Sequence, residues 1–138
     1  MSAETNKAFV KRYFEQVWIG CQPDLLAEFW DENFVYHGGP VNLEELKTGL
    51  TTFLNTFAEV RFTNEDIIAE GDKVVVRWTL AANHQGEFMG VPATGKQVSF
   101  SGITIFRLAN TQIVEAWVRT DDLGLMQQLG AIPTPETS

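Results

Sequence analysis

The chain changes its hydrophobic period at Phe57, and that change restricts its fold more than any other feature. Through Phe57 the apolar residues recur at helical spacing; beyond it they recur at every second position. Phe9, Val10, Tyr13, Phe14, Val17 and Trp18 share one stripe over 3–19, and Gly20 stands where a helix is expected to stop. Pro23 opens a second short helix at its first turn, and residues 33–39 read as a short strand ended by two glycines. Leu43, Leu46, Leu50, Phe53, Leu54 and Phe57 mark a third helix, with Asn42 as its cap and Glu45 placed to complete a capping box. Residues 59–70, 73–85, 96–108 and 112–121 then read as strands, with hairpin turns at Gly71-Asp72 and Asn110-Thr111. Residues 122–130 return to helical spacing.

Helices followed by antiparallel strands define an α+β fold. A strongly curved sheet closed by helices makes a cone, and the mouth of a cone is a common ligand site. Residues 1–130 are expected to form a single domain and 131–138 a frayed tail, since 138 residues are enough for one core. Ten Phe and four Trp supply either that core or a pocket for a flat apolar ligand. Eighteen acidic against ten basic residues, a net charge of −8, argue against nucleic acid and anionic membranes, both of which need a basic surface. The single cysteine, Cys21, allows no intramolecular disulfide and has no evident His partner for nucleophilic catalysis. The N-terminus lacks the basic and apolar regions of a secretory signal, and no apolar run reaches the roughly 18–20 residues of a membrane span. A cytoplasmic location is therefore expected.

Residues 90–97 nearly spell a phosphate-binding loop, but Gln97 stands where Ser or Thr would hold magnesium. The segment also leads into a strand, not a helix, so a hairpin loop is expected instead. The two histidines, His37 and His84, and Asp121 come from three separate elements with no local metal-ligand spacing, so no metal site is expected.

Strand parity sorts the remaining candidates. Val74, Val76, Trp78, Leu80, Ala82 and His84 share a nearly all-apolar face that should look inward, carrying His84 to the inner rim. In the last strand Ile113, Glu115, Trp117, Arg119 and Asp121 share one face, and Val114, Ala116, Val118 and Thr120 the other. Trp117 is costly to leave in water, which favours turning the first face toward the pocket. Asp121 then faces the pocket beside Arg119, and Asp122 is left to cap the last helix. For the third strand Gly102 leaves the choice of face open, because it can mark a bulge.

Taken together, the stretches 6–18 and 25–39, the motif H-x-G-x-F-x-G-x-P-x-T-G-K at 84–96 and the motif W-x-x-x-D-x-L-G-L-x-Q-Q-L-G at 117–130 resemble the SnoaL-like polyketide cyclases of the NTF2-like superfamily. The resemblance spans roughly residues 5–130. It implies a cone-shaped α+β barrel, N-terminal helices on a curved, mainly antiparallel sheet with a deep pocket, usually as a homodimer or homotetramer. It further implies cofactor-free, metal-free intramolecular aldol ring closure of a small aromatic or polyketide substrate. The acid/base aspartate of the family falls on Asp121 and its pocket histidine on His84. His37 matches a histidine often found after the first strand. Tyr13, Tyr36, Trp78 and Trp117 would hold a flat polycycle, with Arg119 beside the base. The turn at Asn110-Thr111 departs from the Asp-Gly usual in the family. Two other readings use the same scaffold. One is isomerase or epoxide-hydrolase chemistry; the other is a small-ligand-binding protein without turnover.

Overall fold

The computed structural model of the chain describes residues 2–133; the last five residues of the expected tail lie outside the described residues. The first helix, α1 (Ala3–Tyr13), starts at Ser2, whose hydroxyl accepts from the Thr5 N–H at 3.1 Å. It runs without a break into a π-helical stretch, Phe14–Ile19. The wider turn has a structural consequence. Residues five apart on an α-helix are rotated roughly 140° from each other, whereas the i→i+5 turn brings them to one side. Tyr13 and Trp18 therefore meet, and Trp18 Nε1 donates to the Tyr13 hydroxyl at 3.1 Å. The helix stops where the sequence indicates, but for a different reason. Gly20 keeps φ −76 and Cys21 takes the left-handed turn at φ 52. Glycine is needed at position 20 because a Cβ there would lie 2.6 Å from the Gln16 carbonyl oxygen.

A 3₁₀ turn with Pro23 at its start leads into the short α2 (Leu26–Phe29) and directly into β1 (Trp30–His37). The next helix, α3 (Leu43–Thr56), carries the expected cap: Asn42 Oδ1 accepts from the Glu45 N–H at 2.8 Å. The Glu45 carboxylate reaches one residue further back than a standard capping box and accepts from the Val41 N–H at 3.0 Å. Four strands follow: β2 (Phe57–Glu70), β3 (Lys73–His84), β4 (Gln97–Ala109) and β5 (Gln112–Thr120). The chain closes with α4 (Asp122–Gln128).

The five strands form one sheet in the order β1-β5-β4-β3-β2, with β1 parallel to β5 and every other pair antiparallel. Register shifts interrupt β2 between Ala58 and Arg61 and between Asn64 and Asp66, with Glu59 at φ 52 inside the first. Such bulges bend a strand and increase its twist, which curves the sheet. The concave face carries the core. Val74, Val76, Trp78, Leu80, Ala82 and His84 are all buried on it, as the parity of β3 indicates. The helices pack onto this face through aromatic rings: Phe14 stacks on Phe62 at 4.9 Å, Tyr13 meets Phe106 edge-on at 6.0 Å, and Phe53 meets Phe100 at 6.4 Å. Each such side chain, fully buried, contributes about 1.5–3 kcal/mol.

Gly102 does not mark a bulge. The β3–β4 register passes through it unbroken, pairing it with Trp78. A Cβ at position 102 would overlap the Trp78 indole, so glycine lets that ring lie flat across β4. The bulge sits instead in β5. Leu108 pairs with Ile113 but Arg107 with Glu115, leaving Val114 as the extra residue. Ile113 is therefore fully buried on the concave side, not on the face of Glu115 as continuous alternation requires.

Candidate active site

The concave face and the helices enclose a cavity of about 240 Å³. Its walls are largely aromatic. Tyr13 comes from the end of α1, and Phe14 and Trp18 from the π-helical stretch after it; β1 contributes Trp30 and Tyr36; Phe53 and Phe88 come from α3 and the β3–β4 loop. From β5 the lining residues are Val118 and Thr120, followed directly by Asp122 at the start of α4. Asp122 is the one charged residue among the described residues that line the cavity, and it is solvent-exposed, so the cavity meets water at its end.

The two ends of the cavity differ in chemistry. Tyr36 is level with Ala116 on β5, toward the end of the sheet remote from Asp122. Thr120 is level with Gly102, and through it with Trp78, next to the Asp122 end. Between them Trp78 Nε1 donates to Thr104 Oγ1 at 3.0 Å. At the remote end burial raises the Tyr13 hydroxyl's pKa, only partly offset by the hydrogen bond from Trp18 and by the nearby indole N–H of Trp30, which does not reach hydrogen-bond geometry. Burial, with Tyr13 nearby, pushes the Tyr36 hydroxyl well above the ordinary tyrosine value. Both phenols therefore stay protonated, and remain donors, across any ordinary pH.

Of the residues singled out in the sequence, Tyr13, Tyr36 and Trp78 line this cavity. Trp117 and Arg119 do not. They lie on the convex face with Lys73, Ile103 and Ile105. From Glu115 to Thr120 the parity is as expected but the face is inverted, and Ile113 leaves the expected face at the Val114 bulge. Trp117 is partly covered on the outside because parallel pairing sets His37 opposite it. The two rings stack at 4.9 Å with a 6° interplanar angle. His37 is thus also a convex-face residue; its Nε2 is 2.7 Å from Glu115 Oε2, while Arg107 Nε donates to Glu115 Oε1 at 2.7 Å. These partners hold the Glu115 carboxyl below its ordinary range, the hydrogen bond to His37 first and that from Arg107 second.

The aspartate pair exchanges its expected positions. Asp121, not Asp122, is the N-cap of α4: its Oδ1 accepts from the Gly124 N–H at 2.9 Å. Arg119 does not touch it, donating instead to the Val118 carbonyl at 2.8 Å. His84 reaches the inner face but not the cavity wall. It is fully buried, and the β3–β4 loop folds over it. Nδ1 accepts from the Thr94 N–H at 3.2 Å and lies 2.9 Å from Thr94 Oγ1, so it holds the loop to the end of β3. The same loop is the near-match to a phosphate-binding motif; it forms a hairpin between β3 and β4, as its proline and glycines suggest. Among the described residues no three His, Cys, Asp or Glu side chains gather as metal ligands, and no helix is long and apolar enough to cross a membrane.

Sequence reasoning missed Trp18, Trp30, Phe88, Phe100, Thr104, Thr120 and Asp122 as lining residues. Thr120 was visible as a member of the Ala116–Val118 face, and extending that parity by one step reaches Asp122.

A bent five-stranded sheet closed by N-terminal helices around an aromatic cavity is the SnoaL- and NTF2-like class of α+β fold. The chain belongs to the SnoaL-like polyketide cyclase family, whose sequence profile matches residues 8–129. Among solved structures it is similar to AclR of Streptomyces galilaeus, named as a candidate hydroxylase, with 27% identity and a TM-score of 0.89 over 98% of this chain and 91% of that one. A candidate SnoaL-like polyketide cyclase from Jannaschia sp. CCS1 has 29% identity and a TM-score of 0.83 over 96% and 97%. IdmH of Streptomyces antibioticus, a candidate polyketide cyclase, has 26% identity and a TM-score of 0.79 over 91% and 98%. No curated protein matches the chain.

Proposed function

We propose that the chain is a cofactor-independent cyclase that closes a ring in a small aromatic or polyketide substrate by an intramolecular aldol reaction. The observation that supports this best is an aromatic cavity where Asp122, the one charged lining residue among the described residues, stands at the solvent-facing end. In this reading the Asp122 carboxylate takes a proton from a carbon flanked by carbonyls. The resulting enolate carbon attacks a second carbonyl carbon, forming the C–C bond and breaking that C=O π bond. The alkoxide then takes the proton back from Asp122, so the product is an isomer of the substrate. Proton transfer of this kind is worth roughly 10²–10⁴-fold. Aromatic walls that fold the reacting arms together add to it by raising their effective concentration.

The resemblance puts the acid/base aspartate of the family on Asp121; because Asp121 caps α4 and its neighbour Asp122 lines the cavity, this reading moves the role to Asp122. His84, held by Thr94 away from the wall, acts here as a positioning residue for the loop that carries Phe88. The similarity to AclR supports hydroxylation as a second reading. Incubating the protein anaerobically with a linear aromatic triketone separates the two. Conversion to a product of unchanged mass, or of that mass less one water, supports cyclisation. Conversion only in air, with gain of an oxygen atom, supports hydroxylation, and no conversion of the triketone counts against the cyclase.

The reading includes a homodimer formed through the convex face. The helices cover the other side of the sheet, which leaves Ile103 46% exposed on this one, beside Ile105 and Trp117. Sedimentation should show a dimer that Ile103→Glu converts to monomer. A monomeric parent protein would refute this assembly.

A further inference from the structure

The end of the cavity remote from Asp122 holds three aromatic side chains with polar hydrogens. Trp30 is 1% exposed and lines the cavity, yet its Nε1 has no hydrogen-bond acceptor among the described residues. An indole N–H can only donate, and a buried donor without a partner is costly. Native structures rarely keep such a group without a use for it. Tyr13 stands beside it, their ring centroids 6.0 Å apart, and its oxygen already accepts from Trp18 Nε1. That bond uses an oxygen lone pair and leaves the Tyr13 proton free to be donated. Tyr36 stacks on Trp30 at 5.7 Å and adds a third donor, the second hydroxyl of the group.

No cationic side chain lines this cavity among the described residues. An anionic ligand group here would be stripped of water with no opposite charge to compensate, which is strongly unfavourable. A neutral oxygen acceptor meets no such penalty and satisfies the waiting donors. We propose that Trp30, Tyr13 and Tyr36 form an oxygen-binding end that selects uncharged flat aromatic ketones, gripping the carbonyl oxygen through Trp30 Nε1–H and the tyrosine hydroxyls. This deepens the cyclase reading: it rests on the cavity being the substrate site and names the class of molecule admitted. It also orients that molecule, with the gripped carbonyl inward and the reacting carbon toward Asp122.

Fluorenone, fluorene and fluorene-9-carboxylate share one tricyclic frame and differ in the oxygen they offer. Titration with each, together with the infrared carbonyl stretch of bound fluorenone, tests the inference. Fluorene and fluorenone should both bind, and the carboxylate should bind at least about ten-fold more weakly than fluorenone. The bound carbonyl stretch should lie below its position in cyclohexane. Trp30→Phe and Tyr13→Phe should return it toward that position and lower the fluorenone-to-fluorene affinity ratio on the order of ten-fold. Unchanged fluorene binding in those variants shows that the cavity is intact. If both neutral ligands bind but the stretch stays at its hydrocarbon position, the oxygen-binding end is refuted while the cavity reading survives. Equal binding of the carboxylate refutes the selection for uncharged ligands. If none of the three binds, the cavity is no site for such rings and both readings fall.

Discussion

Asp121 and Asp122 are chemically identical neighbours, and the end of a strand gives them different work. Asp121 turns its carboxylate to the first turn of α4 and satisfies the Gly124 N–H. Asp122 is left beside Thr120 at the cavity. Asp121→Ala should therefore lower stability by about 1 kcal/mol, the usual loss for an aspartate cap, read as a shift in the denaturation midpoint. An unchanged midpoint would show that the cap contributes nothing. The sequence showed that these two residues point opposite ways but not which way is in. That choice rested on Trp117 being too apolar to face outward. Its cover is the His37 ring, brought from β1 by a parallel pairing that no local pattern announces.

At the level of elements the sequence was more readable, because period and caps are local. The face of β3, the Asn42 cap and both hairpin turns are where the residues indicate. The bulge at Val114 was not legible, since it depends on how β5 matches β4 and leaves no trace in composition. Nor was the π-helical turn that joins Trp18 to Tyr13. The turn at Asn110-Thr111 holds both residues at positive φ, 52 and 63. Hairpin turns of this kind favour glycine at the second position, and a β-branched threonine is strained there. Thr111→Gly should raise stability by about 1 kcal/mol, measured by urea denaturation. A loss would mean that the threonine side chain supports the turn in a way its backbone strain does not reveal.

Across the whole molecule, titration should act from both ends of the pH scale. The Glu115 carboxyl is held below its ordinary value of 4.5 by His37 and Arg107. Its contribution is fully present above that value and is lost as pH falls through the lowered one, because the unfolded chain then binds a proton first. Glu115→Gln should flatten the acid limb of the melting-temperature profile; an identical limb would exclude Glu115 as its source. The raised Tyr13 and Tyr36 act in the opposite sense. Their contribution is present below the unfolded tyrosine value of about 10 and is lost above it, as the unfolded chain releases protons that the folded one retains. Tyr36→Phe should weaken that alkaline loss, and an unaltered alkaline limb would exclude Tyr36 as its cause.

The central claim is that a single carboxylate at the cavity mouth moves the proton. Its most direct measurement is the cyclisation rate of the same triketone by the parent protein, Asp122→Asn and Asp121→Asn. The account predicts that Asp122→Asn loses roughly 10²–10⁴-fold in rate with its melting temperature preserved, while Asp121→Asn, which keeps a capping side chain, stays close to the parent. Full loss in Asp121→Asn with an active Asp122→Asn would contradict it.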